Sequence, residues 1–332
     1  MAKKAILITG VAGLIGSKLA DWILHNHPEY NIIGVDDLSD GIASNVDPRI
    51  EVHFRDCAAP LDDIFIRHEI EYVFHFAARA AESMSGFNRM FFHSNNIVAS
   101  GNIINHCISH NVKRLVFASS MSVYGNNKAP FTEDQIPLPI DPYGIGKYAV
   151  ELDLYAAYLQ HGLEYSIFRG HSIYGDKQNI WDRYRNVLGI WMRQILSGES
   201  ITMYGDGTQR RAFTFIEDIL PALWQCAVSE KTKNQTYNFG HDDEITLNMA
   251  AEKLANVVGS NLEIKHLPAI HEVKFAYCDH SKSRNELGLE CSTPLFEGMK
   301  KMWLWAEKQP IREVKHWTRF EIDKGLYDMW KK

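Results

Sequence analysis

Tyr143 and Lys147 lie four residues apart in the segment DPYGIGKYAVE. On a helix this spacing places both side chains on one face, so that the Lys ammonium lies near the Tyr phenol. A free tyrosine has a pKa of about 10, and a neighbouring cation lowers that pKa towards the working range of a base. We interpret the pair as a candidate proton-transfer base. The same spacing occurs in ordinary amphipathic helices, so the interpretation depends on the rest of the chain.

A glycine-rich turn follows the first predicted strand, in the segment TGVAGLIGSKLA. Glycines between a strand and the next helix let the backbone turn sharply and approach a pyrophosphate, whose charge the helix N-terminus stabilises. We therefore expect a dinucleotide here, contacted by Gly10, Gly13, Leu14, Ile15 and Gly16. A tight strand-to-helix turn without a ligand is the alternative.

An acidic residue ends the second predicted strand. Asp36 lies 20 residues after Gly16, where a carboxylate accepts hydrogen bonds from the adenosine ribose hydroxyls. Asp37 follows directly, and two adjacent carboxylates would repel a 2′-phosphate. The predicted cofactor is therefore NAD rather than NADP.

The first half of the chain alternates short apolar runs with longer helical patterns. This alternation is typical of a parallel sheet with helices on both faces, so we predict an α/β fold with a doubly wound (Rossmann) sheet. The predicted strands are Ala5–Thr9, Asn31–Asp36, Ile50–Arg55, Tyr72–Phe76, Arg114–Ser119 and Glu164–Arg169. The predicted helices are Leu14–His25, Phe91–His110, Tyr143–His161, Leu247–Val258 and Phe296–Trp305. After Arg169 the alternation of strand and helix patterns becomes irregular, and this change predicts two interleaved domains. The cofactor-binding domain would comprise residues 1–170 plus about 212–245. The smaller substrate-binding domain would comprise about 171–211 and 246–332.

The composition excludes several functional classes. The 332 residues carry 35 Lys and Arg against 41 Asp and Glu without a long basic run, so nucleic acid is not an expected partner. No segment approaches the roughly 20 apolar residues that cross a bilayer, and the apolar run near the start is too short for a signal peptide. Five scattered Cys residues without a C-x-x-C pair predict reduced thiols in a cytoplasmic protein. The 15 His residues form no cluster with ligand spacing, so no metal site is predicted.

Several further segments resemble one enzyme family. Together with the glycine turn, the chain is similar over nearly its whole length to the extended short-chain dehydrogenase/reductases, and within them to the nucleotide-sugar epimerases and dehydratases. The similar segments are VDDLSDG, VFHFAARA, NNIVASGN, LVFASSMSVYG, DPYGIGKYAVE, FRGHSIYG, YGDGTQRRAFTFIEDI and YCDHSKSRNELG, in the family's order. The resemblance implies cofactor contacts at Asp56, Cys57, Phe76, Ala77, Ala78, Asn96, Tyr143, Lys147 and His171. Asn96 could equally be a polar residue within a helix that is hydrogen-bonded to nearby backbone, without a role in cofactor binding.

The segment FASSMSVYG offers three candidate catalytic serines. Alignment on the shared VYG places the family's catalytic Ser/Thr at Ser120, where it would bind the sugar oxygen that Tyr143 deprotonates. Ordinary loop chemistry at a strand end is the alternative for Ser120. In the 4,6-dehydratases the two residues after the catalytic Ser/Thr are Asp and Glu, which act as acid and base in the elimination of water. In this chain those two positions are Met121 and Ser122, and methionine has no proton to transfer. The decarboxylases usually keep that Glu, so the smaller catalytic set favours a 4-epimerase.

The nucleotide-sugar contacts are predicted mainly from the second half of the chain. The resemblance implies that Arg211 binds the diphosphate and that Asn186 contacts the same ligand. At a further substrate-binding position, Ser172 replaces the Asn that the family usually has. Contacts with the sugar are expected from Ser120, Ser122 and Tyr143. Arg79 would hold either a uronate carboxylate or a neutral hexose, unless it points to solvent or to an internal acid. Asn186 is nearly as well explained as a helix or turn residue.

The expected function is therefore NAD-dependent 4-epimerisation of a nucleotide sugar, such as UDP-glucose and UDP-galactose or their N-acetyl or uronate relatives, through a 4-keto intermediate. A 4,6-dehydratase or reductase that takes its acid from elsewhere, for example Glu82, is the nearest alternative. A non-catalytic dinucleotide sensor on the same fold is an alternative of another class. The resemblance also implies a homodimer through the helices that begin near Phe91 and Tyr143, although burial of Phe92, Ile104, Leu154 and Leu159 in their own subunit explains much of the same pattern.

Overall fold

A parallel sheet forms the centre of the protein. The structure is a computed structural model that describes residues 4–314, 316–317 and 319–331. Within these residues the central sheet has seven strands: β1 Ala5–Thr9, β2 Asn31–Asp36, β3 Glu51–Phe54, β4 Ile70–His75, β5 Arg114–Ser120, β6 Tyr165–Gly170 and β11 Gln235–Phe239. Their spatial order is β11-β6-β5-β4-β1-β2-β3, and every neighbouring pair is parallel. The predicted doubly wound sheet is confirmed, with β11 as a strand that the sequence did not predict.

Smaller strand groups lie in the second half of the chain. They consist of β7 Ile173–Tyr174 with β10 Thr214–Phe215, β8 Ile201–Tyr204 with β13 Ile264–Leu267, and β9 Arg210–Ala212 between β12 Glu244–Thr246 and β14 Phe275–Ala276. A separate hydrophobic core, which includes Trp191, Met203 and Met299, packs among them. Because this core is distinct from those of the central sheet, we propose the division into two interleaved domains at the predicted boundaries.

Helices cover both faces of the central sheet. The described helices are α1 Leu14–Asn26, α2 Asp62–Arg67, α3 Glu82–Ser85, α4 Arg89–His93, α5 Ala99–Ser109, α6 Pro142–His161, α7 Val187–Leu196, α8 Ile216–Val228, α9 Leu247–Val258, α10 Ser281–Leu287 and α11 Leu295–Ala306. Of these, α7, α9 and α11 pack in the separate core of the second half of the chain and not on the central sheet. One core buries Leu19 and Ile23 of α1 with Leu223 of α8, and the other buries Ile103 of α5 with Leu154 of α6. Among the described residues, none of these helices is both long and apolar enough to span a bilayer.

Local sequence signals explain where α6 begins and ends. Asp141 caps its first turn by accepting a hydrogen bond from the Gly144 amide at 2.8 Å, and Pro142 occupies the first helical position. Gly162 ends the helix in the left-handed region, with φ of 74°. The cap places Tyr143 in the first turn of α6, directly beside the end of β5.

The helix predicted over Phe91–His110 is interrupted. A π-helical turn at Ser94–Val98 separates α4 from α5 and contains the buried Asn96. Single π-turns within α-helices are often found at functional sites. The apolar pattern of this segment fits a continuous helix equally well, so the sequence did not reveal the interruption.

Candidate active site

A cavity of about 540 Å³ lies at the carboxyl edge of the central sheet. Doubly wound sheets bind ligands at this edge, where the strand order reverses. The cavity brings together most of the predicted site residues: Gly10, Gly13, Leu14, Ile15, Gly16, Asp36, Asp37, Asp56, Cys57, Phe76, Ala77, Ala78, Arg79, Ser120, Ser122, Tyr143, Lys147, Ser172, Asn186 and Arg211.

The glycine turn between β1 and α1 leaves no space for side chains. A Cβ atom on Gly16 would lie 2.2 Å from the carbonyl oxygen of Gly10, and one on Gly10, whose φ is 69°, would lie 2.8 Å from the amide nitrogen of Ala77. The first turn of α1 contains no acidic residue. A close backbone approach and an uncompensated helix N-terminus fit the pyrophosphate of a dinucleotide.

The carboxylate of Asp36 is held at the rim of the glycine turn. It accepts hydrogen bonds from the amides of Ala12 at 2.9 Å and Leu38 at 2.8 Å, while burial raises the pKa of this carboxyl. Asp37 beside it is exposed. Each carboxylate oxygen of Asp36 keeps a further lone pair, which fits a ribose hydroxyl.

Ser120, Tyr143 and Lys147 converge on the cavity from β5 and α6. The Ser120 hydroxyl lies beside the phenol of Tyr143. The Lys147 ammonium lies 5.8 Å from the centre of the Tyr143 ring and donates to the carbonyl of Ala118 at 2.6 Å. All three side chains are buried, so a substrate hydroxyl at this point would be removed from water.

Burial dominates the protonation of this group. It raises the pKa of Tyr143, against the opposing effect of the Ser120 hydroxyl, and lowers the pKa of Lys147 to about 7 despite the attraction of Glu151. The structure contradicts the expected lowering of the Tyr143 pKa, because desolvation of the phenol outweighs its favourable contacts.

A pair of carboxyl groups lies beside the serines. The Ser122 hydroxyl donates to Glu82 at 3.1 Å, and the carboxyl of Asp141 lies near enough to interact with Glu82. Burial, followed by repulsion from Asp141, raises the pKa of Glu82. Both effects favour the protonated form of Glu82, the carboxyl that contacts Ser122.

Arg79 is engaged by an internal acid. Its guanidinium forms an ion pair with Asp40, and Arg185 reaches the same carboxylate at 3.1 Å and Asp182 at 3.0 Å. Asp40 and Arg185 line the cavity and were not found from the sequence. The Arg-rich segment WDRYRNV was the available signal, but it does not indicate which Arg faces the cavity.

The predicted diphosphate residues lie on the second domain. Arg211 reaches the cavity from β9 and pairs with Glu272 at 2.6 Å. Asn186, whose φ is 46°, caps α7 by accepting from the Leu188 amide at 3.3 Å, and its amide group donates to the carbonyl of Ile173. Asn186 therefore caps a helix, which was the alternative to its predicted contact with the diphosphate, and it also lines the cavity.

Two predicted cofactor contacts do not line the cavity. Asn96 is bonded through its side chain to both the amide and the carbonyl of Arg79, at 2.8 and 3.0 Å, so it braces the loop after β4. His171 is fully buried behind the cavity and donates to the carbonyl of Ala276 at 2.8 Å. Asn96 thus uses both polar side-chain atoms to hold backbone in place, and His171 uses its Nε2 for the same purpose.

An aromatic segment near the C-terminus packs against the same end of the cavity. Trp330 and Leu326 bury against Tyr143 and Met84, while the Glu321 carboxylate accepts from the amides of Met90 and Phe91. This segment, comprising residues 316–317 and 319–331, fixes α3 and α4 beside Tyr143. Its Trp and Phe residues are spaced without helical or strand periodicity, so the sequence did not place it.

Comparison with known proteins identifies the family. The model of the NAD dependent epimerase/dehydratase family matches residues 6–240, more than half of the chain. The chain belongs to this family. A putative UDP-glucose 4-epimerase of Methanocaldococcus jannaschii is 30% identical over 306 residues, which cover 91% of this chain and 98% of the relative.

Further members of the family are similar over the same length. A UDP-glucuronate 4-epimerase of Thermodesulfobacterium geofontis is 29% identical, with coverage of 93% of this chain and 98% of the relative. The crystal structure of UDP-glucose 4-epimerase from Thermotoga maritima with UDP-glucose superposes with a TM-score of 0.86 at 31% identity, covering 91% of this chain and 98% of that one. More than nine-tenths of the chain thus aligns with proteins of the family that are named as epimerases.

The two residues after Ser120 carry no carboxyl group. Met121 and Ser122 line the cavity at the positions where dehydratases are expected to have Asp and Glu. A thioether and a hydroxyl cannot replace a carboxyl pair in eliminating water. The carboxyl of Glu82, which reaches Ser122, is the group nearest to that missing function.

Proposed function

We propose that the protein is an NAD-dependent nucleotide-sugar 4-epimerase that acts on a UDP-hexose. The observation that carries the proposal is the convergence of Ser120, Tyr143 and Lys147 next to Met121 and Ser122, which supply no elimination pair. The 4-epimerase names of the similar proteins support it. UDP-glucose and UDP-galactose, or their N-acetyl or uronate relatives, are the proposed substrates.

The chain would use these residues in separate roles. The glycine turn and Asp36 would hold NAD, which when bound supplies a hydride acceptor and donor. Tyr143 would take the proton of the sugar 4-hydroxyl, Ser120 would hold the same oxygen by a hydrogen bond, and Lys147 would lie next to this pair. The resulting 4-keto sugar would then turn over within the cavity, which needs no second acid or base.

The diphosphate and the sugar would meet existing ion pairs. Arg211 is paired with Glu272, so a diphosphate would compete with that carboxylate for the guanidinium fork. Arg79 and Arg185 share the carboxylate of Asp40, and Arg185 also pairs with Asp182, so an anionic or hydroxyl-rich sugar would compete with these acids for the two guanidinium groups. We propose Arg79 and Arg185 as contacts that select the sugar.

A substrate panel tests the proposed function. Purified protein incubated with UDP-, GDP- and dTDP-sugars should convert at least one UDP-hexose into its C4 epimer, identified by proton NMR. Tightly held NAD in the same preparation would agree with a cofactor that is recycled rather than consumed. If NMR finds only dehydrated, decarboxylated or reduced products, or no product from any sugar, the proposal is rejected.

Glu82 supports a 4,6-dehydratase as a second candidate. Its carboxyl contacts Ser122 and its raised pKa keeps it protonated closer to neutral pH than an exposed carboxyl. If Glu82 is the elimination acid, Glu82→Gln should lower turnover by about 10²–10⁴-fold. If the protein is an epimerase, we expect the same variant to keep kcat within about tenfold, because the 4-hydroxyl chemistry uses Tyr143.

Mass spectrometry of the products separates the two candidates in the same experiment. Loss of water changes product mass, whereas epimerisation does not. Glu71→Gln is a suitable control, since Glu71 forms an ion pair with Lys4 and does not line the cavity. A product that is lighter by one water in the parent enzyme and absent in Glu82→Gln would favour the dehydratase.

We propose a homodimer formed through α4, α5 and α6. The structure buries Phe92, Ile104 and Leu154 within their own subunit, as the alternative explanation required. An apolar row on α6 is nevertheless exposed; it includes Leu152, Tyr155 and Leu159, whose exposed fractions are 52%, 52% and 65%. These residues share one helix face, and Val98 on the neighbouring π-turn is also exposed, at 58%. Such a paired surface suits a four-helix interface between two copies.

Leu159→Glu is expected to produce a monomer, because a carboxylate buried in an apolar interface has no partner. Light scattering after size exclusion should give twice the chain mass for the parent protein and the chain mass for the variant. Ile66→Glu on α2, which is exposed at 73% outside this surface, should stay dimeric. A monomeric parent protein would contradict the proposal.

A further inference from the structure

Three buried side chains with metal-binding atoms meet behind the cavity. His171 follows β6, and Cys278 and His280 lie between β14 and α10. One ligand atom from each lies within 4.8 Å of the others, and the residues are exposed by 0%, 6% and 3%. Since 107 positions separate the first two residues, no sequence spacing could indicate the cluster.

The hydrogen bonds of the two histidines leave one lone pair on each ring. Nε2 of His171 is bonded to the carbonyl of Ala276 at 2.8 Å, and a carbonyl only accepts, so that nitrogen carries the proton. Nδ1 of His280 is bonded to the Asp242 carboxylate at 3.0 Å and must donate for the same reason. His171 Nδ1 and His280 Nε2 are therefore unprotonated, and both are buried without a hydrogen-bond partner.

Both free nitrogens face the same space. A Cβ atom on Gly240 would lie 2.6 Å from His280 Nε2 and 2.9 Å from His171 Nδ1. Two buried acceptors without a donor are costly unless something electrophilic lies between them. Ligating histidines typically donate their other N–H to a carboxylate or a backbone carbonyl, which are the two partners found here.

We propose that His171, Cys278 and His280 bind a transition-metal ion of the Zn²⁺ type. Imidazole and thiolate are the ligands that Zn²⁺ prefers, and a water would fill the fourth position. Binding breaks the S–H bond of Cys278, forms a metal–sulfur bond and releases one proton to solvent. Thiolate and metal together leave one positive charge, and the Asp242 carboxylate, which also pairs with Arg284, accepts the N–H of the His280 ring.

The geometry requires only a small contraction. Tetrahedral bonds of about 2.0–2.3 Å place ligand atoms about 3.3–3.8 Å apart, so the three atoms would have to converge by up to about 1.5 Å. A surface hollow of about 280 Å³, bordered by Asp242, His280 and Arg284, gives an ion access to His280. The region between β14 and α10 therefore has both the ligands and an entry path.

The bound ion would join two distant segments of the substrate-binding domain beside the cavity. His171 precedes Ser172, which lines the cavity, and Ala276 pairs with Arg211 across β14 and β9. A metal joining residues 171, 278 and 280 would fix the position of Arg211 relative to the end of β6. Its role is structural and does not depend on the identity of the sugar.

The test uses Zn²⁺ and Co²⁺ with the full-length protein. After chelator treatment and equilibrium dialysis, we expect one equivalent of Zn²⁺ by elemental analysis, and with Co²⁺ a thiolate-to-metal charge-transfer band with the strong visible absorption of four-coordinate Co²⁺. Cys278→Ser should abolish the charge-transfer band. Asp242→Asn, which keeps all three ligands and the fold, should weaken the affinity for Zn²⁺ by about 10–100-fold.

Matched variants exclude other sources of binding. Cys226→Ser removes a fully buried thiol in another core and should leave the Co²⁺ spectrum unchanged. Glu51, His53 and His68 form a partly exposed cluster that could also take an ion, so His53→Asn with His68→Asn serves as the second control. Absence of stoichiometric metal, a charge-transfer band that survives in Cys278→Ser, or metal lost only in the His53 and His68 variant would each overturn the proposal.

Discussion

Tyr143→Phe is expected to lower 4-epimerisation by about 10²–10⁴-fold, the usual contribution of a positioned acid–base group. The ring is buried against Met84, Leu326 and Trp330, and phenylalanine keeps those contacts. The variant loses only the phenol oxygen, which lies beside the Ser120 hydroxyl. We expect KM for the nucleotide sugar to change little, because the proton is transferred after binding.

Tyr158→Phe is the matched control, since Tyr158 lies on the same helix, away from the cavity. Its kcat should equal that of the parent enzyme. Initial rates and circular dichroism of both variants separate loss of chemistry from loss of fold. A Tyr143→Phe protein that is folded and retains more than about a tenth of the parent kcat would remove Tyr143 from the acid–base role.

Glu151→Ala is expected to destabilise the fold by about 3–5 kcal/mol, the cost of leaving a buried charge without its partner. Glu151 lies one turn after Lys147 on α6 and binds Arg169 of β6 through both carboxylate oxygens, at 3.0 and 2.6 Å. It also accepts from Ser119 of β5. Without it, the Arg169 guanidinium, which is 5% exposed, would keep only its bond to the Tyr124 hydroxyl at 2.8 Å.

Urea denaturation measures this effect as a change in the free energy of unfolding. Asp63→Ala breaks the exposed pair of Asp63 with Arg55 and should cost less than about 1 kcal/mol. Glu151→Gln keeps the volume and one acceptor, so it should fall between the two. Equal stability losses in Glu151→Ala and Asp63→Ala would show that the buried network under α6 does not stabilise the fold.

The sequence predicted the central sheet closely because each buried strand is a short, β-branched run between turn residues. β1 and β2 have the predicted bounds, and the helix predicted at Leu247–Val258 is α9. The seventh strand, Gln235–Phe239, begins with polar residues and was missed, because its place in the sheet depends on β6 beside it. Local pattern therefore indicated strands, while tertiary pairing decided the edge of the sheet.

The sequence predicted those parts of the site in which a single motif indicates both a local structure and a chemical role. The glycine turn and the Tyr143 and Lys147 pair have such signals, and the structure brings them into one cavity. Contacts between distant segments have no such signal. The Glu82 and Asp141 pair, the shared Asp40 carboxylate and the meeting of His171 with Cys278 and His280 depend on side chains that only folding brings together.

The fate of the hydrogen at C4 tests the central claim most directly. A UDP-hexose deuterated at C4 should yield its C4 epimer with unchanged mass and with the deuterium still on C4, because an epimerase removes this hydrogen as a hydride and returns it to the other face of the same carbon. The product is analysed by mass spectrometry and proton NMR in ordinary water. Deuterium that is lost to solvent or moved to another carbon, or a product that has lost water or carbon dioxide, would contradict the account.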